Sequence, residues 1–382
     1  MSKIWLSSPH MGGTEQDFVN DAFAENWIAP LGPNVNGFEE DIQRFSGAKH
    51  AAALSSGTAA IHLALDILGV QQSDYVLVQS FTFCASVNPI EYLGGKPVFI
   101  DSENETWNMC PRALREALAH FEQKGELAKV KAILPVHLYG TPTNMSEIML
   151  IANEYNIPVV EDAAESLGAT INKKHTGTFG SFGVYSFNGN KIITTSGGGA
   201  LISDNEEHIK LARKLATQAR DDAPHYQHSM VGYNYRMSNI CAGIGRGQME
   251  VLSNRVDQRR ANFERYQNIF KKIGWEVSYQ IERAGVYSNR WLSAFYFDPE
   301  IFGKTFREDL RLFLDELNIE SRPLWKPMHL QPVYEHCIYF GGDNNAERIF
   351  DYGLCLPSGS NLREDEWVRI EAGILAFSNK MS

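Results

Sequence analysis

Val159-Val160-Glu161-Asp162-Ala163-Ala164-Glu165 is the stretch on which the fold turns. A β-branched run, Ile157 to Glu161, ends abruptly on carboxylates. Such a run reads as a short strand buried on both faces. Similar runs flank it at Tyr75–Gln79, Val98–Ile100, Val130–Val136 and Val184–Phe187. Helical periodicity fills the intervals, over Ala59–Leu68, Ala113–Phe121 and Met145–Tyr155. Strands alternating with helices predict an α/β fold, a mostly parallel sheet with helices on both faces. In such sheets the ligand sits at the carboxyl ends of the strands, which is where Asp162 falls.

The remaining chain fits around that sheet. A length of 382 residues predicts one large domain and a smaller one. We place them at 1–250 and 251–382. A long polar helix is expected from about Ala242 to Phe270, with Arg255, Asp257, Arg259, Arg260 and Glu264 on a solvated face. The smaller, α+β part carries strand-like Leu292–Phe297 and helix-like Phe306–Leu317. Apolar residues at 43% and charged residues at 21% are those of a soluble globular protein. A net charge of −11 speaks against a general nucleic-acid binder, which needs a basic footprint. The five cysteines form no Cys-x-x-Cys pair, so neither a zinc site nor a disulfide framework is expected. Met1–Gly13 lacks the apolar core of a signal peptide, and no apolar run is long enough to span a bilayer. A cytosolic protein is expected, with no metal.

Three local patterns carry chemistry. Ser55-Ser56-Gly57-Thr58 opens a helix, a place that suits a phosphate and equally suits an ordinary N-cap. Asp162 is placed to pair with a protonated ring nitrogen, or simply to cap the next turn. Lys191 follows Tyr185-Ser186-Phe187-Asn188-Gly189-Asn190 and precedes Gly197-Gly198-Gly199. Lysine forms Schiff bases with carbonyls, and glycines let backbone approach a ligand; a surface lysine before a flexible loop is the plain alternative. Taken together, a phosphate seat, a carboxylate and a lysine match the phosphate, pyridinium and aldehyde of pyridoxal phosphate.

With these motifs in place, the chain resembles the DegT-type nucleotide-sugar aminotransferases, a branch of the fold-type-I pyridoxal-phosphate enzymes. The resemblance runs through Leu6–Gly12, Asn26–Pro33, Ser56–Ala60, Pro135–Gly140, Glu161–Glu165, Ser186–Gly199, Gly232–Met237 and Arg322–His329. It implies that Lys191 carries the cofactor and shuttles the proton, and that Asp162 partners the pyridine nitrogen. It implies phosphate contacts from Gly57, Thr58 and Ser186, and an aromatic wall from Phe83. Asn234 corresponds to a phosphate contact supplied by a neighbouring subunit, so a homodimer with shared active sites is implied. Glu165 stands where many relatives carry glutamine, near the cofactor's phenolic oxygen; a carboxylate there requires a proton on one of the two groups. Relatives with histidine in place of the lysine are dehydratases, and Lys191 argues against that branch.

The implied reaction moves an amino group from L-glutamate to a nucleotide-linked keto-sugar, with the cofactor alternating between its aldehyde and amino forms. The segments Ser288–Leu292 and Glu320–His329 resemble the branch that makes UDP-linked, bacillosamine-type 4-amino sugars. Arg290 and Lys326 are the expected diphosphate contacts, with His329 and Trp325 against the sugar. Domain packing is the alternative for these four. The rival readings are a dTDP- or GDP-linked acceptor, a pyridoxal-phosphate dehydratase or aromatizing enzyme, and a non-catalytic regulatory protein on the same scaffold.

Overall fold

The computed structural model describes residues 2–381. Eleven of its strands organise the sites discussed below: β1 (His50–Leu54), β2 (Tyr75–Gln79), β3 (Lys96–Ile100), β4 (Val130–Leu134), β5 (Val160–Asp162), β6 (Phe182–Ser186), β7 (Gly199–Ser203), β8 (Ser293–Tyr296), β9 (Arg322–Pro323), β10 (Ile338–Phe340) and β11 (Gly353–Leu356). Two four-stranded sheets have the orders β1-β7-β6-β5 and β10-β3-β2-β4. Parallel bridges from Ile133 to Val159 and from Val136 to Asp162 seam β4 to β5. The result is one mostly parallel sheet; only β7 runs against its neighbours, β1 and β6.

The β-branched runs become strands within a few residues of their expected limits. β1 and β7 are different. His50-Ala-Ala-Ala-Leu and Gly199-Ala-Leu-Ile-Ser have small residues that weakly favour strands. Their reason is packing. Ala51, Ala52 and Ala53 are fully buried where helices Gly57–Ile67 and Glu206–Ala216 press on this end of the sheet.

β5 shows how alternation sorts its acids. Successive strand side chains point to opposite faces. Glu161 turns to the back, where its carboxylate accepts from the amides of Gly177, Phe179 and Gly180 at 2.9, 2.5 and 2.7 Å. Asp162 turns forward, at the sheet's carboxyl edge.

The long helix spans Asn239–Lys272, and the division expected at 250/251 falls inside it. Its expected solvated face is corrected in part. Arg255 and Arg259 are buried, because the N-terminal segment crosses that face. Arg255 donates to the carbonyl of Met11 at 3.0 Å, and Arg259 to Ser7 Oγ at 2.9 Å. The C-terminal part builds an antiparallel sheet, β8-β11-β9, and an aromatic core around Phe263, Tyr266, Phe270, Phe295 and Trp367. It also sends β10 back to pair with β3. Among the described residues no helix is long and apolar enough to cross a membrane.

Gly199 is needed for close approach. A Cβ there would fall 2.3 Å from the carbonyl carbon of Ser56 and 2.4 Å from the Gly57 nitrogen. At Gly197 a Cβ would meet nothing within 4 Å. Gly199→Ala is therefore expected to cost about 1–3 kcal/mol, seen as a lower urea midpoint. Gly197→Ala should stay within about 0.5 kcal/mol of the parent. Equal losses would contradict this packing.

Candidate active site

The carboxyl ends of β5 and β6, the loop before β7 and the N-terminus of helix Gly57–Ile67 open on one cavity of about 630 Å³. At one end, Ser56 caps the helix, its Oγ accepting from the Ala59 amide at 3.0 Å. The two readings of this turn are thus compatible: Ser56 is the cap, and the first-turn amides of Gly57 and Thr58 lie free of it at the cavity wall. A Cβ on Gly57 would come within 3.1 Å of Ser186 Cβ, so the turn and the serine sit side by side. Helix dipole, amides and hydroxyls together make an anion seat.

Asp162 holds the middle, only 5% exposed. Its Oδ1 accepts from the Ala164 amide at 3.1 Å and its Oδ2 from Ser86 Oγ at 2.6 Å. It is both a local cap and a cavity wall. Ser86, backed by Thr82 at 2.7 Å, went unnoticed in the sequence, since nothing local ties Cys84-Ala85-Ser86 to a residue 76 positions away.

Lys191 Nζ lies 3.5 Å from Glu165 Oε1 and 4.3 Å from the centre of the Trp291 ring. Glu165 Oε2 accepts from the Tyr139 amide at 2.7 Å. Burial raises the Glu165 carboxyl, the Lys191 charge opposes and the Asp162 charge adds; the outcome is about 7. Phe83, half exposed at 52%, and Trp325 form the outer wall, their rings 5.5 Å apart.

Four expected site residues lie elsewhere. Asn234 is exposed and lines a separate cleft of about 800 Å³ with Leu31, Arg220 and Arg236. The placement of Arg290 corrects the expectation of a cavity contact. Its guanidinium faces another cleft, donates to the Gln280 carbonyl at 3.0 Å and lies 3.6 Å from Glu282 Oε2. His329 is also spent on packing, hydrogen-bonded to Ser80 Oγ at 2.7 Å and paired with Glu347 at 3.2 Å. Lys326 is exposed and does not line the cavity. Conversely, Trp291 and Arg322 line it and were not singled out.

Residues 9–374 match the DegT/DnrJ/EryC1/StrS aminotransferase family. The chain belongs to this family. A putative pyridoxal phosphate-dependent aminotransferase of Bacillus subtilis, EpsN, is 51% identical over 96% of this chain and 94% of its own. A GDP-perosamine synthase of Vibrio cholerae is 33% identical, covering 95% and 96%. A UDP-4-amino-4,6-dideoxy-N-acetyl-beta-L-altrosamine transaminase of Campylobacter jejuni is 32% identical, covering 88% of each. A DegT-family aminotransferase structure from Brucella abortus superposes with a TM-score of 0.87 at 27% identity, covering 96% and 95%. This DegT-family chain is a pyridoxal-phosphate-dependent sugar aminotransferase. The cavity fits that cofactor on chemistry alone: an anion seat, a carboxylate and an amine face one space of adequate size.

The Glu165 shift has a consequence for stability. An unfolded glutamate titrates near 4.3. Between that pH and about 7 the folded, cofactor-free protein holds a proton that the unfolded chain releases. Stability from this group is therefore present at low pH and lost as pH rises through 7, on the order of 3 kcal/mol. Glu165→Gln removes the dependence. Thermal melts of both proteins from about pH 5 to 7.5 should show the glutamine variant gaining on the parent as pH rises. A flat or opposite trend would contradict the assignment.

Proposed function

We propose that the chain transfers the amino group of L-glutamate to carbon 4 of a UDP-linked 2-acetamido-4-keto-6-deoxy sugar. The observation that carries the transfer is the convergence of Lys191 Nζ, the Asp162 carboxylate and the Ser56–Thr58 turn on one cavity. When bound, pyridoxal phosphate supplies an electron sink for the carbanion formed at the donor carbon. Gly57 and Thr58 amides and Ser186 Oγ would hold its phosphate. Asp162 would hold the proton on its ring nitrogen. Lys191 Nζ would take and return the proton at the donor carbon. Glu165 would hold a proton while Nζ is engaged elsewhere and pass it to the neutral amine when that returns, leaving an ammonium–carboxylate pair.

For the sugar nucleotide, Trp325 offers an apolar face at the mouth. Arg322, exposed at the rim, takes the diphosphate role first given to Arg290. The UDP reading rests on the resemblance of 288–292 and 320–329 to the UDP-sugar branch. The GDP-perosamine relatives make GDP the serious rival. Kinetics with L-glutamate and UDP-, dTDP- and GDP-linked 4-keto-sugars decide it, with products read by mass spectrometry and NMR. The expected result is at least a tenfold higher kcat/KM for the UDP sugar and amination at carbon 4. A GDP or dTDP preference would overturn the nucleotide, and amination at carbon 3 the position.

We further propose a homodimer in which Asn234 reaches the phosphate of the neighbouring subunit. Supporting this, Asn234 is exposed away from its own cavity, and Trp27, Ile28, Leu31, Tyr226, Met230 and Val231 are exposed apolar side chains. Inactive Lys191→Ala chains mixed with inactive Asn234→Ala chains should recover part of the activity. No recovery after demonstrated subunit exchange would refute the shared site.

A further inference from the structure

Trp291 touches Lys191 from two directions. Its Nε1 donates to the carbonyl of Asn190, the residue just before the lysine, at 2.8 Å. Its ring face lies 4.3 Å from Lys191 Nζ. A second donor, Ser7 Oγ, reaches the same Asn190 carbonyl at 2.8 Å. Behind both stands Arg259, 1% exposed, on the long helix. Its guanidinium donates to the Trp291 carbonyl and, at 2.9 Å, to Ser7 Oγ. Among the described residues no carboxylate pairs with it. A buried cation is costly unless it is hydrogen-bonded; here Nη1 and Nη2 donate to the two residues that hold Asn190, and Nε is left without a partner. Arg259, Ser7, the Asn190 carbonyl and Trp291 close a ring.

We propose that Trp291 is the positioning residue of Lys191: it fixes the peptide before the lysine and gives the free side chain, as the ammonium, a π face to rest on. Arg259 and Ser7 hold the indole and that peptide in register. The inference deepens the reading of Lys191 as the cofactor lysine. In that reading the amine is released in each half-reaction and must stay beside the reacting atoms. Two neighbours keep it there, Glu165 Oε1 at 3.5 Å and the indole. Tryptophan is the best aromatic partner for a cation, and the contact strengthens as water is excluded. Asp162 on the next wall and Arg322 at the rim are the other charges around the amine.

The test uses the full chain freed of cofactor, so it stands apart from whether Lys191 carries the cofactor. Two readouts separate the two contacts. The first is hydrogen exchange at the Lys191 amide, which belongs to the clamped peptide unit. Trp291→Phe and Ser7→Ala each remove one donor to Asn190, and exchange should rise about fivefold in each. The second is labelling of Lys191 by an acylating reagent at fixed pH, read by peptide mass spectrometry. Phenylalanine and leucine leave similar space, so their difference isolates the ring. Trp291→Leu should label about tenfold faster than Trp291→Phe. Should the leucine variant fail to fold, Trp291→Met takes its place, with the same gain over Trp291→Phe expected. Equal labelling of the phenylalanine variant and the ring-free variant overturns the seat. Unchanged exchange in both Ser7→Ala and Trp291→Phe overturns the clamp.

Discussion

Two buried carboxylates leave the same strand end toward one cavity, and one amine answers the second of them. Asp162 and Glu165 are 5% and 4% exposed. Like charges so placed cannot both be left to water for compensation. The protein treats them differently. Asp162 receives two fixed donors, Ser86 Oγ and the Ala164 amide. Glu165 receives one fixed donor, the Tyr139 amide, and one movable partner, Lys191. So held, Asp162 is suited to partner a cationic ring permanently. Glu165 responds whenever the amine moves, which suits a residue beside a group that changes charge during the reaction.

The rest of the architecture keeps these three groups in reach of one small molecule. β5 lies beside β6, so the strand that ends in Asp162 neighbours the one that ends in Ser186. The chain then loops through Lys191 and returns along β7, where Gly199 presses against the Ser56–Gly57 backbone. The Ser56–Thr58 turn, the Asp162 carboxylate and Ser186 are therefore placed at strand ends, the stiff part of such a fold, and the Lys191 amine sits on the loop that joins two of them. The C-terminal part closes the cavity from outside with Trp291, Arg322 and Trp325.

Much of this was legible in the sequence, for a physical reason. β-branched runs announce buried strands, and the three chemical motifs lie each within a few consecutive residues. The alanine strand β1 was not legible, because its strand character comes from the helices packed on it. The substrate side was the least legible. Asn289, Arg290 and Trp291 diverge around a left-handed backbone at Arg290, φ +49. Asn289 donates to the Glu165 and Leu167 carbonyls, Arg290 turns to Glu282, and Trp291 faces the lysine. A one-residue difference in direction exchanges a cation for an indole at the cavity, and no periodicity records it. The buried Arg259 was read as solvated for a similar reason, since the segment that covers it lies about 250 residues earlier in the chain.

The central claim is that Lys191 is the amine that carries the cofactor. Borohydride reduction of the holoenzyme fixes the cofactor to whichever amine holds it, and peptide mapping then names the residue. The account predicts a pyridoxyl adduct on Lys191. An adduct on any other lysine, with Lys191 unmodified, would contradict it.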